Sequence, residues 1–172
     1  FQLPLFTGEL ALTYHYRKLD LNRSPLSKSL SHNSPIPENR FGIDGKWDIE
    51  VGIWAEVAFI HRELDSSTIN YQRQTNVGVD YTFEWGNGLY AIAEYFTFNL
   101  SEKAFGDGEN AALTALSLNY PFGLLDDMTA IVYYNLENTG WYRFVQWQRT
   151  YDNWQFFLMG FWNPDEYLLF PG

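Results

Sequence analysis

From Thr75 to Phe83 the odd positions Thr75, Val77, Val79, Tyr81 and Phe83 are apolar or β-forming, while Asn76, Gly78, Asp80 and Thr82 between them are polar or small. A period of two is the period of a strand with one apolar face. Trp85-Gly86-Asn87-Gly88 supplies a reversal, because glycine and asparagine accept positive φ at little cost. A second ring-rich run returns from Leu89 to Asn99, so Tyr71 to Asn99 reads as one long hairpin. Each arm exceeds the usual strand of about five or six residues and matches the roughly nine to eleven that a tilted strand needs to cross a bilayer.

The same alternation recurs along the chain. Thr7 to Leu21 sets Leu10, Leu12, Tyr14 and Tyr16 against Glu9, Ala11, Thr13, His15 and Arg17. Asn22 to Arg40 is rich in Ser, Asn and Pro, carries no period and reads as a long loop. Phe41 to Ile49 places Phe41, Ile43 and Trp47 opposite Asp44, Lys46 and Asp48, and a reversal is expected near Glu50 to Gly52. Ile53 to Leu64 follows with Ile53, Ala55, Val57 and Phe59 in phase, and 65–69 connects it to the long hairpin. Beyond a polar loop at 100–110, strands are expected over 111–120, 128–137, 141–151 and 154–163. The last two, WYRFVQWQRTY and WQFFLMGFWN, carry rings on both phases, and their faces are not assigned by pattern.

About nine strands joined only by reversals, without a helical period, make an all-β antiparallel up-and-down meander. The connections near 50, 86, 121–127 and 152 fall at one end, and the longer ones at 22–40, 65–70, 101–110, 138–140 and after Asn163 at the other. With short turns at one end, long loops at the other, and rings such as Tyr14, Trp47, Tyr81, Trp85, Tyr120, Tyr134, Trp141 and Trp154 near strand ends, the chain resembles the Gram-negative outer-membrane β-barrel proteins. The resemblance is architectural, covers nearly the whole chain and rests on no motif. It implies a transmembrane β-barrel of the bacterial outer membrane, porin-like, in contact with the lipid bilayer and lipopolysaccharide, passing small polar solutes by diffusion. An oligomer is compatible with it. Such barrels have an even number of strands, so residues 1–172 are expected to form a single β-barrel domain or the C-terminal part of a larger, here incomplete, barrel. Two other readings share the alternation: an outer-membrane enzyme with a site on the rim, and a soluble β-barrel that turns its apolar face inward around an apolar ligand.

Composition narrows the picture further. Aromatic residues make up 19% of the 172, yet mean hydropathy is −0.30, so the apolar residues are dispersed along the chain. No window approaches the roughly eighteen apolar residues of a membrane helix. Net charge is −10, against the Lys and Arg that nucleic acid requires. Without cysteine there is neither disulfide nor thiolate metal site. His15, His32 and His61 lack metal-ligand spacing, and the sequence calls for no cofactor and no catalytic residue. Ser31-His32 lies in the long loop and fits a Ser/His/acid site poorly; Asp107-Gly108-Glu109-Asn110 lacks the EF-hand pattern; Asn22-Arg23-Ser24 and Asn99-Leu100-Ser101 match the glycosylation acceptor only formally.

The candidate site is a lumen. Glu56 stands about six residues from the reversal near 50, Asp80 about six and Glu94 about seven from the turn at 86, so at roughly 3.3 Å per residue the three carboxylates are expected at similar height on the polar phase. Lys46 and Arg17, on the polar phase of the preceding strands, are the expected partners, and the acids are expected to favour cations in passage.

Overall fold

The computed structural model describes residues 2–19, 35–63, 69–137 and 139–164. These form ten strands: β1 (Gln2–Leu5), β2 (Gly8–Leu19), β3 (Ile36–Ile49), β4 (Val51–Arg62), β5 (Tyr71–Phe83), β6 (Leu89–Ser101), β7 (Glu109–Pro121), β8 (Asp126–Asn135), β9 (Trp141–Thr150) and β10 (Gln155–Trp162). They build one antiparallel sheet in sequence order, and no helix occurs among the described residues. The sheet is open: β1 and β10 are its edges and do not pair with each other. β2 to β7 are 12 to 14 residues long, enough to exceed a tilted bilayer crossing.

One more strand is present than the pattern predicts. The opening FQLPLF enters β1, which folds back on β2 through Phe6-Thr7, with Phe6 at φ 51°. The reversal between β3 and β4 is tighter than expected, since Glu50 alone, at φ 65°, separates them. Gly52 therefore belongs to β4 and makes no turn. The predicted loop over 22–40 is also too long, because β3 begins at Ile36. Pro35 and Pro37 hid this start; a proline is tolerated at the first residues of a strand, where one missing donor costs little. Residues 20–34, with His32, Ser31 and Asn22, lie outside the described residues, as do 64–68.

Register assigns every strand its faces. One row runs Leu12, Ile43, Val57 and Thr75; the next but one on the same face, nearer the short turns, runs Trp47, Ile53, Val79, Ala93, Leu116 and Val132. Leu10, Val77 and Leu118 share this apolar face. Leu12, Val77, Val79 and Leu116 are 39–46% exposed, so nothing in the described chain covers them. Among the described residues the buried hydrophobic ones, Ile36, Ile60 and Ala111, lie instead on the opposite face.

Aromatic side chains border the aliphatic part of the apolar face at both ends. Trp47, Tyr81, Phe83, Tyr120 and Trp147 stand near the short turns. Tyr14 and Phe41, 4.8 Å between ring centroids, Phe59, and Tyr134 against Trp141 at 4.6 Å stand toward the long loops. On β9, unassigned by pattern, Trp141, Arg143, Val145, Trp147 and Arg149 take this face, while Tyr142, Phe144, Gln146 and Gln148 take the other.

Candidate functional site

The polar face holds most of the charged residues of β2 to β5, with Lys18, His61 and Arg73 on the other face. Its most enclosed member is Glu38, whose side chain is fully buried. Antiparallel pairing puts Arg17 of β2 and Arg62 of β4 on either side of it, and Arg40 follows two residues along β3 on the same face. Arg17 Nε and Arg40 Nε donate to one carboxylate oxygen at 2.6 and 2.5 Å, and Arg62 Nε donates to the other at 2.6 Å. Arg62 Nη1 also donates to Gln72 on β5 at 3.2 Å. Four strands are thereby tied together at the loop end of the sheet.

A buried carboxylate is tolerated only when it is fully hydrogen-bonded. Burial by itself pushes the Glu38 pKa up, but the hydrogen bonds from Arg40, Arg17 and Arg62 and the Arg62 charge outweigh it and hold the carboxyl at about 2, below its ordinary 4.5. Glu38 lies beyond the Tyr14–Phe41–Phe59 row, level with Lys18, Asn39 and His61 on the other face, outside the aliphatic part of the sheet. Three guanidinium groups surround this one carboxylate, so the cluster is positive in a chain of net charge −10.

The carboxylates expected in a lumen all take the polar face, on successive rungs of the ladder. Glu56 pairs with Asn76, Glu94 with Gly78, and Asp80 with Gly52. The three thus follow one another along β5 from residue 76 to residue 80, about 13 Å at 3.3–3.4 Å per residue. Glu56 stands opposite Asp44 of β3, and Asn76 Nδ2 donates to Glu94 at 3.4 Å. Asp44, Glu56, Ala58, Gln74, Asn76 and Phe96 line a groove of about 380 Å³.

Two glycines make room for this face. A Cβ at Gly52 would lie 2.5 Å from the Asp80 carboxylate, and one at Gly78 would lie 2.2 Å from the Trp54 indole. The side chains of Asp80 and Trp54 therefore lie flat across neighbouring strands, which only a residue without a side chain permits.

The expected partnerships of Lys46 and Arg17 with these acids are not what the structure shows. Arg17 is bound to Glu38, and Lys46 pairs in register with Glu9 and Trp54 and approaches Asp48 at 4.0 Å. The physical reason is register: Arg17 sits at the loop end of β2, several rungs from Asp44 and Glu56. Glu38, Arg40 and Arg62 were missed because the first two were assigned to a loop. The available signal was the even phase Ile36, Glu38, Arg40 leading into Gly42 and Asp44.

His15 takes the polar face opposite Arg40, while His61 takes the apolar face and stacks on Tyr71 at 4.5 Å. No group of three or more potential metal ligands occurs among the described residues. Glu109 and Asn110 of the acidic segment belong to β7, where Asn110 accepts from Asn99 at 2.7 Å. Comparison with protein-family models, curated proteins and solved structures finds no match for this chain.

Proposed function

We propose that this sheet is the wall of a transmembrane β-barrel in a bacterial outer membrane, with the apolar face toward lipid and lipopolysaccharide and the polar face toward a water-filled lumen that passes small polar solutes by diffusion. The single observation that carries this reading is the uncovered aliphatic face of β2 to β8, bordered at both ends by rings. Monomeric soluble proteins rarely expose apolar patches larger than a few hundred Å², and aromatic borders are the pattern expected at the two lipid–water interfaces. A soluble barrel with an apolar interior would need that face inward; here the buried hydrophobic residues Ile36, Ile60 and Ala111 lie on the other one. In a bilayer an open sheet edge leaves donors and acceptors unsatisfied, so the barrel is closed through further pairing at the β1 and β10 edges.

In this reading Asp44, Glu56, Glu94 and Asp80 line the lumen as an acidic strip, and the arginine cluster around Glu38 stands at its loop end. The protein carries out no chemistry; shape and charge decide what passes. Reconstitution of the full chain in a planar bilayer tests the proposal. Stepwise conductance is expected, and a protein that stays soluble without detergent and never conducts would overturn it.

A further inference from the structure

Along β2 to β4 the polar face is sorted by charge. Toward the loop end it carries Arg17, Arg40 and Arg62 around Glu38, with His15 opposite Arg40. The next rung on this face, Thr13, Gly42 and Ala58, is uncharged, and the carboxylates Asp44 and Glu56 follow on the rung after it. Asp44 is four residues from Arg40 along β3, about 13 Å at 3.3–3.4 Å per residue. Guanidinium groups stay charged at every working pH, so three of them against one carboxylate leave this patch at +2.

Burial within the patch is equally uneven. Glu38 has no exposure, whereas the side chains of Arg17, Arg40 and Arg62 are 40, 38 and 30% exposed, so the cations and not the anion meet solvent. Each arginine donates to Glu38 through Nε, and Gln72 is the one other acceptor hydrogen-bonded to any of the three among the described residues. A guanidinium carries five donors in a rigid fork. The buried carboxylate therefore gathers three forks at one point without filling them, although one guanidinium is enough to neutralise it.

We infer that this patch binds a doubly charged phosphate group, free or as the monoester of a small solute, taken by the outer nitrogens of Arg17, Arg40 and Arg62 while Glu38 positions them. Two negative charges match the +2 of the patch. Forks arriving from three neighbouring strands suit a tetrahedral oxyanion better than a planar carboxylate. The chemistry of the site stands on the ladder alone; its place in a lumen rests on the barrel reading. There it faces solutes and not lipid, because it lies on the face opposite the uncovered aliphatic one.

The test is calorimetric titration of the full chain in detergent micelles with inorganic phosphate, succinate and chloride, at constant ionic strength and well above the second phosphate pKa. Phosphate is expected to bind about tenfold or more tightly than either control. Arg17→Gln and Arg40→Gln are each expected to weaken it by about tenfold, since each removes a charge-assisted contact. Lys46→Gln, which removes a cation of the same face nearer the short turns, leaves it unchanged, and Arg40→Lys, which keeps the charge without the fork, restores only part of the affinity. Succinate or chloride binding as tightly as phosphate, an equal loss in Lys46→Gln, or full affinity in Arg40→Lys would overturn the inference; the comparison of anions needs no variant and so holds even where a substitution unfolds the sheet. Phosphatidic acid added to the micelles is expected to leave phosphate binding unchanged, and displacement would put a lipid headgroup in the site and overturn its assignment to a solute. Conduction without phosphate binding sinks this inference alone, and phosphate binding by a protein that never conducts sinks the barrel alone.

Discussion

Arg62 donates from Nε to Glu38 across the β3–β4 ladder at 2.6 Å, and through that bond a carboxylate with no exposure to solvent is held between three strands. Removing it leaves three guanidinium groups crowded without a counter-charge. Glu38→Ala is therefore expected to destabilise the protein by about 2–3 kcal/mol, below the 3–5 of a fully buried pair because the arginines are 30–40% exposed. Chemical unfolding in detergent micelles measures this, and an unchanged midpoint would mean that the arginines bind the strands together without Glu38.

The same contact has a pH signature. Glu38 titrates at about 2 in the folded protein against an ordinary 4.5, so its contribution is fully present above pH 4.5 and is lost as pH falls through 2. Comparison of the wild type with Glu38→Gln should show a stability difference that is constant at neutral pH and shrinks below pH 4.5. A difference that stays constant down to pH 2 would contradict the assignment.

Trp54 lies over Gly78 so closely that a methyl group there would overlap the indole. Gly78→Ala should displace the ring and cost about 1–3 kcal/mol, read as a lower melting temperature and a changed tryptophan emission. Gly42→Ala is the control, because a Cβ there meets its nearest neighbour at 3.6 Å. Equal losses in the two variants would point to strand propensity and not to the indole.

The acidic strip makes an electrical prediction. In a conducting protein, Glu56→Gln with Glu94→Gln should move the reversal potential across a salt gradient toward that of an unselective pore. Glu56→Gln alone should also raise stability slightly, by about 0.2–1 kcal/mol, since Asp44 and Glu56 are like charges directly opposite each other. A potential that does not move would remove the acids from selectivity.

Much of the sheet was legible because alternation writes a strand's faces directly into sequence. Val77, Val79, Leu116 and Leu118 were placed on one face by phase alone, and register puts them there. Register itself was less accessible. Asp44 faces Glu56 only because Glu50 is the whole of the reversal, and a turn expected anywhere from Glu50 to Gly52 leaves that pairing undetermined. The glycine that blurred it, Gly52, serves to admit the Asp80 side chain, a tertiary reason with no local signal. Glu38 was hidden for another reason: two prolines made its strand look like loop, and its partners lie on β2 and β4, outside its local sequence. The strands with rings on both phases could not be sided by period, and their sides emerge from the ladder that joins β8, β9 and β10.

The central claim is that the uncovered apolar face meets lipid, and the absence of cysteine from the chain makes it directly measurable. Single cysteines introduced in turn at Gln74, Thr75, Asn76, Val77, Val79, Asp80 and Tyr81 on β5 can carry a nitroxide label in reconstituted vesicles, where collision with oxygen reports lipid and collision with a water-soluble nickel chelate reports solvent; Gly78 is left alone because a side chain there would overlap the Trp54 indole. The account predicts strict alternation, with labels at Thr75, Val77, Val79 and Tyr81 open to oxygen and those at Gln74, Asn76 and Asp80 open to the chelate. Labels reached equally by the chelate on both phases, or alternation of the opposite sense, would contradict it.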